Sequence, residues 1–155
     1  MKVPVIEDAQ DHVSSAALGG SLSLIASGSL LMVVRGMILA HSFPVAVTQV
    51  PVTINQDMKA LTPIEPRLLP FLMLLCEGMK AEILALVDRS THGTCKLESP
   101  KIFGLRVPLP PLAEQARILA RVSELRRLCA DLRLRLSVSQ TTQSLLAEAL
   151  VAEVA

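Results

Sequence analysis

The sequence predicts an α+β chain: a small mixed domain over residues 30–109, then a long α-helical arm over 111–155. Three observations carry that prediction. Short runs rich in Val, Ile and Thr between residues 30 and 54 are punctuated by Gly and Pro, as strands are. Arg67 to Val87 is too rich in Leu and Met for a typical strand. From Leu112 to Ala155, Gly and Pro vanish and apolar residues fall into a heptad rhythm.

Residues 1–29 form a poorly defined lead-in, rich in Ser, Ala and Gly around Gly19-Gly20. Leu30 to Val34, a break at Arg35-Gly36, and Met37 to Ala40 predict two strands or one bulged strand. Pro44 to Thr48 and Val50 to Ile54 also have strand composition, with Pro51 confining the second to a strand start or an edge. Asn55-Gln56-Asp57 is a polar turn, and Thr62-Pro63 and Glu65-Pro66 bracket a loop. Arg67 to Cys76 and Met79 to Val87 predict one helix or two, broken near Gly78. Asp88 to Cys95 is a loop around Gly93, and Ile102 to Leu109 alternates loosely enough to predict a strand stopped by Pro110-Pro111. Pro111 suits the first turn of the arm, where its missing N–H is not needed.

In the arm, Ile118, Val122, Leu125, Cys129, Leu132, Leu136, Ser139, Gln143, Leu146 and Leu150 alternate steps of four and three. Helix propensity is high through Leu136 and weak over Ser137 to Thr142. This predicts either one helix over 111–155, about 67 Å long at 1.5 Å per residue, or two helices meeting near 137–142. A single helix of that length must project, and its apolar stripe needs a partner helix. The other reading is a helical hairpin folding on itself. Arg117, Arg121, Arg126, Arg127, Arg133 and Arg135 lie mostly off the seam among Glu114, Glu124 and Asp131, as on a solvated face.

Composition excludes several classes. Fifteen Lys and Arg against fourteen Asp and Glu give a net charge of +1, which excludes a strongly basic coat protein but not a local basic face. Aromatics at 2%, with neither Trp nor Tyr, argue against binding by base stacking. Cys76, Cys95 and Cys129 form no CxxC pair, so neither a disulfide framework nor a zinc knuckle is expected, and a reducing cytoplasm fits best. The N-terminus does not read as a signal peptide. Leu22 to Val34 is too short to span a bilayer, and Pro70 to Val87 is interrupted by Glu77, Lys80 and Glu82, so no membrane association is expected.

No catalytic set can be assembled. His92 and Cys95 are the only local pair of metal-type ligands, too few for a site, and nothing orients them as base and nucleophile. No phosphate-cradling Gly motif occurs. The polar loops suit nucleic acid better. Asn55 and Gln56 carry amides able to pair bidentately with adenine, and Lys59 is three residues beyond. Ser90, Thr91, His92, Thr94 and Lys96 form a donor-rich loop suited to phosphate, and Arg35 and Arg67 add charge. Taken singly, each has a plainer explanation: Asn55 and Asp57 closing a turn through their own backbone, and the 90–94 loop serving as a connector.

Two stretches change that weighting. Pro108-Leu109-Pro110-Pro111-Leu112-Ala113-Glu114-Gln115-Ala116-Arg117-Ile118 resembles the strand-to-helix junction of type I restriction-modification specificity subunits. That family carries Pro-Pro-Leu-x-Glu-Gln-x-x-Ile there, leading into a long helix. Val34-Arg35-Gly36, the run from Thr53 to Leu61, and Ser90 to Lys96 look like the later half of a target recognition domain. The resemblance covers roughly residues 30–155 and is to the C-terminal half of such a subunit: a partial recognition domain, then the conserved helix.

The resemblance implies a non-catalytic subunit that binds double-stranded DNA and directs methyltransferase subunits, and through them restriction subunits, to a target. It implies no cofactor on this chain, with S-adenosylmethionine and ATP on the partner subunits. DNA contacts would come from Arg35, Asn55, Gln56, Lys59, Arg67, Ser90, Thr91, His92, Thr94 and Lys96. Helix pairing and subunit docking would use Pro111, Leu112, Gln115, Ile118, Val122, Leu125, Cys129, Leu132, Leu136, Leu146 and Leu150. The family has two recognition domains and two helical regions where this chain has one of each, so the expectation is either a half-subunit that homodimerises through its helix or a fragment of a longer or interrupted gene. The alternative is an assembly module whose helix docks partners without autonomous DNA binding. Residues 1–107 hold nine basic and nine acidic residues, a weak attraction for a polyanion.

Overall fold

The computed structural model describes residues 3–9, 11–18, 22–90 and 93–154. The chain divides into two compact units, Met1–Leu112 and Ala113–Ala155. The fold is mixed α+β, as the sequence predicts.

The first unit is built on a four-stranded sheet of β1 (Val5–Ile6), β2 (Leu30–Val33), β3 (Val45–Thr48) and β4 (Met58–Leu61), in the order β1-β3-β2-β4. β2 runs antiparallel to β3, with Leu30 opposite Val47, and antiparallel to β4, with Leu30 opposite Leu61 and Val33 opposite Met58. β1 joins β3 in parallel through Val5 opposite Val47. β2 is interior to the sheet and buried along its whole length, which accounts for its unbroken apolar run. Two helices come next in the chain, α1 (Leu69–Gly78) and α2 (Lys80–Ala85), and α1 packs on β2 and β3. Leu30, Met32, Val33 and Val34 form one core with Leu39, Phe43, Ile83, Cys95 and Leu97. Burying a side chain such as Leu30 contributes about 1.5–3 kcal/mol. Beside this core, Ser29 and Thr48 are buried and tied together. The Ser29 N–H donates to Thr48 Oγ1 at 3.1 Å, and both hydroxyls reach the Ala26 carbonyl.

Several local expectations are corrected. Met37–Ala40 is a 3-10 helix, not a strand, because Gly36 at φ 132° turns the chain out of the sheet. Val50 to Ile54 contributes only a single bridge, Val52 to Ile25, next to Pro51, which has no N–H to give a ladder. The strand lies further on, in β4, where the buried neighbour β2 overrides the poor strand propensity of Lys59 and Ala60. Asp88 to Cys95 is more than a loop. β5 (Asp88–Arg89) and β6 (Cys95–Lys96) make a small antiparallel hairpin. Ile102 to Leu109 is not a strand: α3 (Ser99–Phe103) begins with Pro100 in its first turn, and the chain then runs without regular structure through Pro108 and Pro110. Within the 1–29 segment, β1 supplies an edge strand that no local pattern announces. The predicted break near Gly78 is present as the boundary between α1 and α2.

The second unit is the body of one helix, α4 (Leu112–Val154). It is continuous through Ser137 to Thr142, so the two-helix alternative is set aside. The threonine hydroxyls there bond back to the preceding turn, Thr141 to the Ser137 carbonyl at 3.0 Å and Thr142 to the Val138 carbonyl at 2.9 Å. Arg117–Glu114, Arg121–Glu124 and Arg135–Asp131 pair one turn apart, each adding a few tenths of a kcal/mol at most.

Candidate nucleic-acid interface

Three segments meet at the end of β2, and main-chain hydrogen bonds lace them together. The Asp57 carbonyl accepts from the N–H groups of Val34 at 2.8 Å and Arg35 at 3.2 Å. The Gly36 N–H donates to the Cys95 carbonyl at 2.9 Å, and the Leu97 N–H to the Val34 carbonyl at 2.8 Å, so Arg35 and Lys96 pair as an antiparallel bridge. The Asn55-Gln56-Asp57 turn is closed from within. Asn55 Oδ1 accepts the Asp57 N–H at 3.0 Å, and the Asn55 carbonyl accepts the Met58 N–H at 3.2 Å. The β5–β6 hairpin is closed in the same way, by the Ser90 N–H on the Thr94 carbonyl and the Thr94 N–H on Ser90 Oγ.

Around this junction run three adjoining clefts. One, of about 480 Å³, is lined by Arg35, Gln56, Lys59, Lys96, Glu98 and Ser99 among others. A second, about 340 Å³, shares Arg35 and Lys96 and adds Arg89, Ser90, Thr94 and Asp88. A third, about 670 Å³, shares Gln56 and Lys59 and continues along Thr53, Ile54, Asn55 and Met58. Arg35, Asn55, Gln56, Lys59, Ser90, Thr94 and Lys96, all singled out by sequence, therefore lie on one rim. Thr91 and His92, between Ser90 and Gly93, are outside the described residues.

The rim is mildly cationic. Lys96 donates to Glu98 at 3.1 Å, and Arg35 Nε lies 3.9 Å from Asp57. Asp88 is paired with Lys101, so it does not oppose the neighbouring Arg89, which itself donates to the Ala40 carbonyl at 3.1 Å. Among the described residues, the Lys59 and Gln56 side chains have no hydrogen bond or ion pair of their own. Arg67 stands apart from the three clefts. Its guanidinium donates twice to Glu65 at 2.9 Å, holding that carboxyl down at about 2. Arg89 is the residue that sequence reasoning missed. Its one signal in the sequence is adjacency to the donor-rich loop that begins at Ser90.

Elsewhere the site chemistry is sparse. Among the described residues, no three His, Cys, Asp or Glu side chains gather where a metal could sit. Nor is any helix there long and apolar enough to cross a membrane. Burial pushes the Cys76 thiol up to about 11, with the Glu77 charge adding to it. On α4, Pro111 immediately precedes the helix, Leu112 opens it and Gln115 lies in its first turns. Ile118 and Val122 are half-buried, while Leu125, Cys129, Leu132, Leu136, Leu146 and Leu150 are exposed.

A mixed sheet that presents a polar, cationic rim, on a chain ending in a long helix with exposed leucines, is the design of a binding module. Residues 5–136 match the type I restriction modification DNA specificity domain, and the chain belongs to that family. It is similar to the type I restriction enzyme EcoR124I/EcoR124II specificity subunit of Escherichia coli, at 32% identity over 115 residues. That match takes in 74% of this chain and 28% of the relative, so the chain spans little more than a quarter of the relative's length.

Proposed function

We propose that this chain is a DNA-recognition portion of a type I restriction-modification specificity subunit. The single observation behind this reading is the rim where Arg35, Gln56, Lys59, Arg89 and Lys96 converge on adjoining clefts. Cations there neutralise phosphates and set the register of the duplex, while polar side chains meet base edges. The chain performs no catalysis and holds no cofactor. It works in the cytoplasm beside methyltransferase subunits carrying S-adenosylmethionine, and through them restriction subunits using ATP. The helix α4 supplies the pairing surface, either to a second copy of the chain or to those subunits. A second reading, an assembly module without autonomous DNA binding, is favoured by the exposed leucine seam and by the equal numbers of acids and bases in residues 1–107.

Salt dependence of DNA binding separates the two. Each phosphate contact adds about 0.9 to the magnitude of the slope of log affinity against log salt on duplex DNA. Fluorescence anisotropy with duplex DNA is expected to show the Lys59→Ala, Lys96→Ala double variant with a slope shallower by about 1.8. An unchanged slope counts against Lys59 and Lys96 as phosphate contacts and so against the rim as the DNA surface, whereas no DNA binding by the whole chain supports the assembly module instead.

A further inference from the structure

We propose that Gln56 is the side chain through which this rim reads base sequence, its amide taking the N6 and N7 edge of one adenine in the major groove. The inference rests on the reading of the rim as a DNA surface and adds to it a division of labour. Asn55 and Gln56 both carry the amide that suits adenine, but the structure treats them differently. Asn55 Oδ1 already accepts the Asp57 N–H at 3.0 Å, so its amide is oriented by the turn and keeps only one oxygen lone pair for another donor. A bidentate contact needs both the oxygen and the nitrogen. Gln56 is exposed, has neither atom engaged among the described residues, and lines both the 480 Å³ and the 670 Å³ clefts.

The backbone beneath Gln56 is held in place. The Asp57 carbonyl takes two N–H bonds from the end of β2, and the Met58 N–H returns to Asn55. A side chain on such a base arrives at its target with less conformational freedom to lose. Cations share its clefts, with Lys59 on the same two and Arg35 and Lys96 on one of them. That arrangement puts phosphate-binding charge around a single free amide, which is what backbone positioning with base readout requires.

The test is enrichment of randomised duplex DNA by the purified full chain, wild type against Gln56→Ala, with thermal melts to confirm that both are folded. The wild type is expected to select a sequence containing a required adenine. Gln56→Ala is expected to lose about 5- to 150-fold of the preference at that position, with its salt slope unchanged. Replacing that adenine by 7-deazaadenine removes one acceptor. It is expected to weaken wild-type binding and leave Gln56→Ala unaffected, which a merely structural role would not produce. A selected sequence that is identical in Gln56→Ala overturns the assignment, as does relaxation that tracks Asn55→Ala instead. Salt-dependent binding without any selected sequence overturns the assignment and leaves the DNA surface standing. No binding at all overturns both.

Discussion

Replacing Leu125 and Leu132 with glutamate asks whether the seam of α4 holds two copies of the chain together. In the chain alone Leu125 is 45% exposed and Leu132 is 63% exposed, so roughly half of each side chain is available for burial by a partner. Full burial of a leucine contributes about 2 kcal/mol, so each side chain supplies about 1 kcal/mol to pairing. With two positions on each of two helices, the loss is about 4 kcal/mol, or roughly a thousandfold in dissociation constant. Carboxylates in the seam add to the loss, because burying them is unfavourable. Glutamate is nearly as good a helix former as leucine, so the helix itself persists. Sedimentation equilibrium over a concentration series is the assay, with circular dichroism as the check on helicity. The expected result is a wild-type mass approaching twice 16.7 kDa, with the variant monomeric at the same concentrations. A wild-type chain that stays monomeric throughout, or a variant that still dimerises, refutes self-pairing through this seam. The first outcome reserves the leucines for a different subunit.

At pH 8, iodoacetamide is expected to alkylate exposed Cys129 quickly and Cys76 slowly, read by mass spectrometry. A thiol at about 11 is then only about one part in a thousand thiolate. Because the folded state holds the Cys76 proton more tightly than the unfolded chain, its contribution to stability is intact below the ordinary thiol value of 9.0. It is lost as pH rises from there through about 11, which urea unfolding across that range would register. Thr48→Val keeps the shape but removes the hydroxyl that accepts the Ser29 N–H. It is expected to cost about 1–3 kcal/mol in urea unfolding, and a change within error would show that the buried donor finds another partner.

The parts of this protein that sequence exposes are those with a period or a steric rule. The heptad steps from Ile118 to Leu150 describe α4 because nothing outside the helix is needed to make the pattern. The apolar run at Leu30 to Val34 marks the buried strand for the same reason. The elements that escape a local reading are set by distant neighbours. β4 has Lys59 and Ala60 at its centre and is a strand because β2 offers its open edge. β1 is a two-residue strand recruited by β3. Ile102 has the apolar character expected of a strand, but Pro100 starts a helix and places it against the core. The rim is mixed in the same way. Amides and cations in loops are visible as residue types, whereas the separation of Arg67 from the rim and the engagement of Asn55 depend on partners two residues away, which become definite only in three dimensions.

The hydrogen bonds that join the three segments at the end of β2 run between peptide groups: Val34, Arg35, Gly36 and Leu97 donate, and Val34, Asp57 and Cys95 accept. Peptide groups are common to every residue but proline, which lacks the donor. Exchanging the side chains at positions 35, 56 and 96 therefore leaves those joints unbroken. The surface can be rewritten one position at a time while its foundation stays the same. On the proposed reading of this rim as the DNA surface, new sequence preferences are accessible to the fold by single substitutions, without a compensating change in the core.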